Sequence, residues 1–151
     1  MSTNPVDAEA MFLGGFNCAQ SVLACCGRRY GLDRSTAIRV AQGFGGGIGR
    51  TGSVCGALTG AIMVIGLKHA ALEPADAAAK ARAYQAAQAI LEEFRRRNGT
   101  VACRDLTGCD LTTPEGQRQF KERDLHRTLC ARLVREAAEI VETRLEEESA
   151  T

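Results

Sequence analysis

The sequence predicts an all-α fold: one domain over residues 1–151, a bundle of four to five helices with a glycine-rich loop. Three observations carry this. Nowhere do Val, Ile and Thr alternate with polar residues as a half-buried strand requires. Apolar residues recur instead at helical spacing in successive segments. The chain has 151 residues, 45% hydrophobic and 25% charged, which is the length and balance of an ordinary domain. With no Trp and 5% aromatic residues, the core falls to Ala, Leu, Ile and Val, which suits helices packed closely through small side chains.

The first helical pattern runs through Phe12, Phe16, Cys18, Val22 and Leu23 to about Gly27. If Gly14 and Gly15 break it, Asn17 becomes an N-cap with Gln20 three residues on, a capping box. Asp33 is placed to cap a short helix over 34–42, with Ile38, Ala41 and Phe44 on its apolar face. Eight of the sixteen glycines then fall within residues 43–60, five of them in 43–49, and such a run belongs to a loop. The next helix is expected over 54–71 with Ser53 as N-cap. Its small residues Gly56, Ala57, Gly60 and Ala61 leave one side open to close approach. A helix over 74–97 follows, with Tyr84, Ala87, Ile90, Leu91 and Phe94 as its buried stripe, and Asn98 and Gly99 stop it. Residues 100–113 read as a loop. One long helix from Thr113 and Pro114 to about Glu148 repeats Leu129, Leu133, Val134, Ala137, Ile140, Val141 and Leu145 at helical period.

Charge and hydropathy exclude several classes. Nineteen basic and eighteen acidic residues leave a formal charge of +1, so no positive field recommends nucleic acid or an anionic membrane surface as partner. The longest apolar stretch, 57–67, is far short of the ~20 residues a bilayer demands. The N-terminus shows neither a basic n-region nor an apolar h-region, so a cytoplasmic location is expected. No Ser–His–Asp order, carboxylate pair or His-Glu-x-x-His motif supports hydrolysis.

Seven cysteines call for an explanation. In a reducing compartment they point to metal or redox chemistry, and the odd number argues against a fully paired disulfide scaffold. Cys55 is the strongest single candidate: in the first turn of a helix capped by Ser53, it should be a low-pKa thiolate, with Gly52 and Gly56 leaving its sulfur open. Cys18, following the Asn17 cap, repeats the arrangement. Cys103 and Cys109 share a loop, at a spacing outside the usual zinc knuckles. Cys130 shares a helix face with His126, so the two could ligate one metal. Cys25 and Cys26 read as core, and His69 as a contact to a helix C-terminus. The glycine run resembles a phosphate cradle only loosely, because it follows a helix and ends Gly-Arg-Thr. Gly45, Gly46, Gly47, Arg50 and Gly56 are nonetheless its candidate ligand-binding residues, Arg50 for a small anion.

Several pieces resemble the C_GCAxxG_C_C family of small proteins described as redox-active. They are Gly-Phe-Asn-Cys-Ala-Gln around Cys18, Gly-Phe-Gly-Gly-Gly-Ile-Gly-Arg ending at Arg50, Cys-Gly-Ala-Leu-Thr-Gly from Cys55, Cys103 in its loop, and Cys130 in the last helix. The resemblance implies four functional cysteines, Cys18, Cys55, Cys103 and Cys130, and leaves Cys25, Cys26 and Cys109 as extras. A similar domain in split-Soret cytochromes is associated with an iron–sulfur centre; this chain has no Cys-x-x-Cys-His, so covalent haem is not expected. The four thiolates are accordingly expected either to hold an iron–sulfur cluster or other metal, or to work as dithiol/disulfide pairs with an unspecified redox partner. The alternative is a non-catalytic zinc- or small-ligand-binding module. Homodimerisation through the last helix is compatible with each.

Overall fold

The computed structural model describes residues 2–149. Among these there are eight α-helices and no strand: α1 (Asn4–Leu13), α2 (Cys18–Gly27), α3 (Arg34–Ala41), α4 (Gly56–His69), α5 (Ala77–Asn98), α6 (Cys103–Thr107), α7 (Pro114–Glu122) and α8 (Ala131–Ser149). The all-α expectation holds, whereas four to five helices was too few. The extra helices arise where two expected segments break and a short helix forms inside an expected loop.

The first break is at Gly14 and Gly15, Gly15 having φ 114°. The Asn17 side chain then accepts the Gln20 N–H, the Gln20 side chain accepts the Asn17 N–H, and α2 starts at Cys18. The second break divides the long C-terminal helix at Asp124, whose φ is 51°. Chain direction is recovered through a π-turn, His126–Cys130, that leads into α8.

Three boundaries also moved. Helix α4 begins at Gly56 and not near Val54, because Val54 bridges to Ala102 and the Cys55 N–H is taken by the Val101 carbonyl at 2.8 Å. Cys55 itself, not Ser53, is the residue before the helix. Helix α5 begins after Asp76, whose side chain accepts the Ala79 N–H at 3.0 Å, leaving Pro74 in the preceding turn. On α5 the buried residues are Ala79, Ala86, Ile90 and Phe94. Tyr84, two residues before Ala86, therefore points away from that stripe and is 63% exposed.

Helix α2 lies at the centre, packed against α1, α3, α4 and α8, while α4 also meets α5 and α8. The contact between α2 and α4 depends on the small face of α4. A Cβ on Gly60 would stand 2.8 Å from the Ala19 carbonyl oxygen, and one on Gly56 would stand 3.1 Å from the Cys18 Cβ. Leu58, Val64 and Ile65 of α4 join Val22, Ile90, Phe94, Leu133, Val141 and Leu145 in the buried core. At the far end, Glu142 is buried but paired, accepting from Asn4 Nδ2 at 2.8 Å and from Arg29 Nη1 at 3.0 Å. His69, the last residue of α4, pairs with the Glu148 side chain at 2.6 Å. No described helix is long and apolar enough to cross a membrane.

Candidate functional site

The loop between α3 and α4 has an unusual backbone. Gly46, Gly47, Ile48, Gly49 and Arg50 have φ values of 63°, 67°, 66°, 58° and 65°, five successive residues in the left-handed region. L-residues pay roughly 1–2 kcal/mol each for that conformation, so three of the five are glycine, and Ile48 and Arg50 are held there by their surroundings. The hold is visible. The Gly49 N–H reaches the Gly43 carbonyl at 2.8 Å, the Gly52 N–H reaches Gly46 at 3.1 Å, and the Ser53 N–H reaches Gly47 at 2.8 Å.

This left-handed turn is tied to two neighbours. On one side, the Asn17 Nδ2 donates to the Gln42 carbonyl at 3.0 Å, and the Gln20 Nε2 donates to the Ile38 carbonyl at 2.9 Å and to Gln42 Oε1 at 3.1 Å. The two residues that cap α2 thus also strap it to α3 and to the loop. On the other side, residues 52–55 run against 101–104: the Cys103 N–H bonds to Ser53 O at 2.7 Å and the Arg104 N–H to Gly52 O at 3.1 Å. This pairing sets the Cys55 and Cys103 segments side by side.

Between these elements lies a cavity of about 720 Å³, lined by Cys18, Cys55, Cys103 and Cys130 together with Gly45, Gly46, Gly47, Arg50 and Gly56. Four cysteines from four separated elements, the start of α2, the start of α4, the start of α6 and the end of the π-turn, therefore meet at one place. All are free thiols. Every residue expected at the site from sequence is on this wall, and Phe12, Phe16, Ile38, Leu106, Phe120 and Leu133 supply its apolar part. His126 also lines it, with its ring stacked on Phe12 at 4.1 Å between centroids. Cys25 and Cys26 lie in the core, 5% and 0% exposed.

Cys109 is buried just outside the cavity wall, its sulfur 3.5 Å from the Thr107 carbonyl and 3.9 Å from Arg123 Nη1. Thr107 links it to Cys103: the Thr107 hydroxyl donates to the Cys103 carbonyl at 2.9 Å and accepts the Cys109 N–H at 3.1 Å.

The electrostatics overturn one expectation. Cys55 is not a low-pKa thiolate; burial pushes its thiol up to about 11, aided by nearby Cys103 and opposed by the N–H groups of Ala57 and Leu58. Those two groups lie near the sulfur without making a capping hydrogen bond. Burial likewise raises Cys130 to about 12, with Cys55, Cys103 and Cys109 adding to the rise. Cys18 lies well above the ordinary thiol range through burial and then through Cys55, Cys130 and Cys103. Cys103 is raised by burial and by Cys109. Burial is the leading cause at all four and neighbouring cysteines add to it, so near neutral pH the four are predominantly thiols.

The donor set, four soft sulfurs, has the chemistry of an iron–sulfur or zinc site. Among the described residues, however, no group of three His, Cys, Asp or Glu side chains is arranged to hold a metal ion. No third such donor joins His126 and Cys130 in a metal-holding group among the described residues, and the His126 ring is stacked on Phe12.

What the sequence did not reveal is the strapping by Asn17 and Gln20, the left-handed turn and the aromatic part of the wall. The density of glycines hinted at the turn; nothing hinted that Phe12 and Phe120, far apart in the chain, would face one cavity. No curated protein and no solved structure matches this chain. One family model does, over residues 16–144, under the description "Putative redox-active protein (C_GCAxxG_C_C)". That span holds all four cavity cysteines, the capping motif and the glycine loop, and the chain belongs to the C_GCAxxG_C_C family.

Proposed function

We propose that the protein is a two-electron thiol redox centre in which two cavity cysteines pass between dithiol and disulfide. The carrying observation is the convergence of Cys18, Cys55, Cys103 and Cys130 on one cavity from four separate elements. In the forward direction two S–H bonds break, one S–S bond forms, and two electrons and two protons leave to an acceptor. The influence of Cys103 on Cys55, on segments paired by backbone hydrogen bonds, makes them the first pair to test. Thiol chemistry is favoured over a single tetrahedral metal by the absence of a three-donor arrangement among the described residues.

A second reading is supported by number: a disulfide needs two cysteines, and four line the cavity. Four thiolates would hold an iron–sulfur cluster, which supplies one-electron transfer when bound. On that reading Cys18, Cys55, Cys103 and Cys130 are the ligands, and the cavity's apolar wall excludes water from them.

Protein purified without oxygen separates the two. The thiol reading expects no stoichiometric iron or sulfide, two thiols lost per chain on mild oxidation with diamide, and recovery with dithiothreitol. Peptide mapping should place the disulfide among the cavity cysteines, and Cys55→Ala should abolish it. Iron with acid-labile sulfide and a visible absorption band would replace this reading by the second. Zinc at one per chain would favour a structural module instead.

A further inference from the structure

A dithiol needs only a few ångströms of space, yet the cavity measures about 720 Å³. That is the size of a pocket for an organic ligand, roughly 300–1,000 Å³. Its wall has two chemical parts. Phe12, Phe16, Phe120, Leu106 and Leu133 offer apolar, largely aromatic surface, and the Phe12 ring is held by its stack on His126. The other part is the four thiols and the left-handed turn.

The polar groups of the wall are mostly in use. Asn17 and Gln20 are bound to the Gln42 and Ile38 carbonyls, and Thr107 to the Cys103 carbonyl. Neighbouring Arg104 pairs with Asp110, and Arg123 donates to the Thr107 carbonyl. Arg50 stands apart. It lines the cavity at an exposed position; its backbone N–H bonds to the Gly45 carbonyl at 3.1 Å, while among the described residues its guanidinium makes no hydrogen bond or ion pair. Its backbone is one of two non-glycine positions in the left-handed turn, a conformation that places this guanidinium here at an energetic cost. The N–H groups of Gly46 and Gly47 have no backbone acceptor among the described residues, and both glycines line the same cavity, as does Gly45.

A flat apolar ligand that also carries an acidic group satisfies both parts, its ring against the phenylalanines and its acid at Arg50 and the free N–H groups. Set beside a dithiol, the ligand that makes chemical sense is a two-electron, two-proton acceptor. We infer that the cavity binds a flat aromatic electron acceptor bearing an acidic group, a quinone or a flavin mononucleotide in kind, and that the cavity thiols reduce it; this rests on the dithiol reading above. In the step, two cysteine S–H bonds break and one S–S bond forms. The two electrons and two protons pass to the two carbonyl oxygens of a quinone, giving the hydroquinone, or to the two reactive ring nitrogens of a flavin.

The test uses the full chain, reduced and kept under nitrogen, with two probes: anthraquinone-2-sulfonate, whose flanking benzo rings block thiol addition, and flavin mononucleotide. Saturable binding of at least one probe is expected, with one reduced acceptor formed for every two thiols lost. The probe that binds identifies the source. Arg50→Gln, an exposed change, should weaken the anionic probe at least fivefold while uncharged 2-(hydroxymethyl)anthraquinone binds within twofold of the parent protein.

Failure of both probes to bind, binding without loss of thiols, or an equal effect of Arg50→Gln on charged and uncharged ligands would overturn the inference. Diamide oxidation on the same sample separates this from failure of the dithiol reading. Paired, reversible oxidation with no probe bound overturns the ligand class alone, whereas absence of any paired oxidation overturns both.

Discussion

Gly47 and Gly49 differ in a way that separates strain from packing. Both sit in the left-handed region, at φ 67° and 58°. A Cβ on Gly47 would lie 2.6 Å from the Cys103 Cβ and 2.7 Å from both the nitrogen and the oxygen of Ser53, whereas one on Gly49 would meet nothing within 4 Å. Alanine at either position costs about 1–2 kcal/mol for the backbone, offset in part by about 0.4–1 kcal/mol from the less flexible unfolded chain. At Gly47 the backbone of Ser53 and the Cys103 side chain must also move, an overpacking cost of about 1–3 kcal/mol. Gly47→Ala should therefore destabilise by about 2–4 kcal/mol and Gly49→Ala by about 1 kcal/mol or less. In urea unfolding, with a slope of about 1–3 kcal/mol per molar, a difference near 2 kcal/mol separates the two midpoints by about 1 M. Gly47→Ala should also speed the labelling of Cys103 by a thiol reagent in the folded state, because the segment that covers it is displaced. Equal midpoints for the two variants would refute the close approach of the glycine turn to Cys103.

Two further perturbations follow from the same structure. The thiols of Cys55 and Cys130 ionise only near 11 and 12 in the folded chain, against about 8.5 in an unfolded peptide. Between about pH 9 and 12 the unfolded state has thus released protons that the folded state keeps, so stability should fall as pH rises through that window and be unaffected by these groups below it; a reduced protein whose urea midpoint stays level there would contradict the burial of these thiols. Asn17→Ala removes the cap of α2, worth ~1 kcal/mol, together with the hydrogen bond to the Gln42 carbonyl. A total loss of about 1–2 kcal/mol is expected, along with faster amide exchange in residues 42–50, and exchange unchanged in that loop would show that Asn17 acts on α2 alone.

Much of the fold was legible because it depends on local chemistry. The capping box at Asn17, the Asp33 cap, the Gly99 stop and the periodic face of α8 are each written within a few residues, and each stands where periodicity and capping place it. The small side of α4 could be read as an invitation to another helix, though not that α2 would accept it. The breaks were less legible. Asp124 adopts a left-handed φ inside a stretch whose composition suits a helix, and only the tertiary position of α7 relative to α8 selects that turn. Helix α6 is five residues long, too short to show a period, and forms where the chain is already pinned to residues 52–55.

The site illustrates the same division with an energy attached. Sequence placed Cys55 at a helix start, and it does stand immediately before α4, near the N–H groups of Ala57 and Leu58. A helix terminus favours a negative charge by roughly 0.3–1 kcal/mol, up to ~2 kcal/mol in buried geometries. The thiol is nevertheless pushed up to about 11, a net penalty on the thiolate of roughly 3 kcal/mol, so desolvation outweighs everything the helix start contributes. That burial comes from residues remote in sequence: α2 packed on Gly56, the segment 101–104 laid along 52–55, and Cys130 brought in by the π-turn. None of them is visible from the neighbourhood of Cys55. The convergence that makes four cysteines a site is thus the same feature that keeps their thiols protonated, and a local motif could reveal the cysteines but not the state in which the fold holds them.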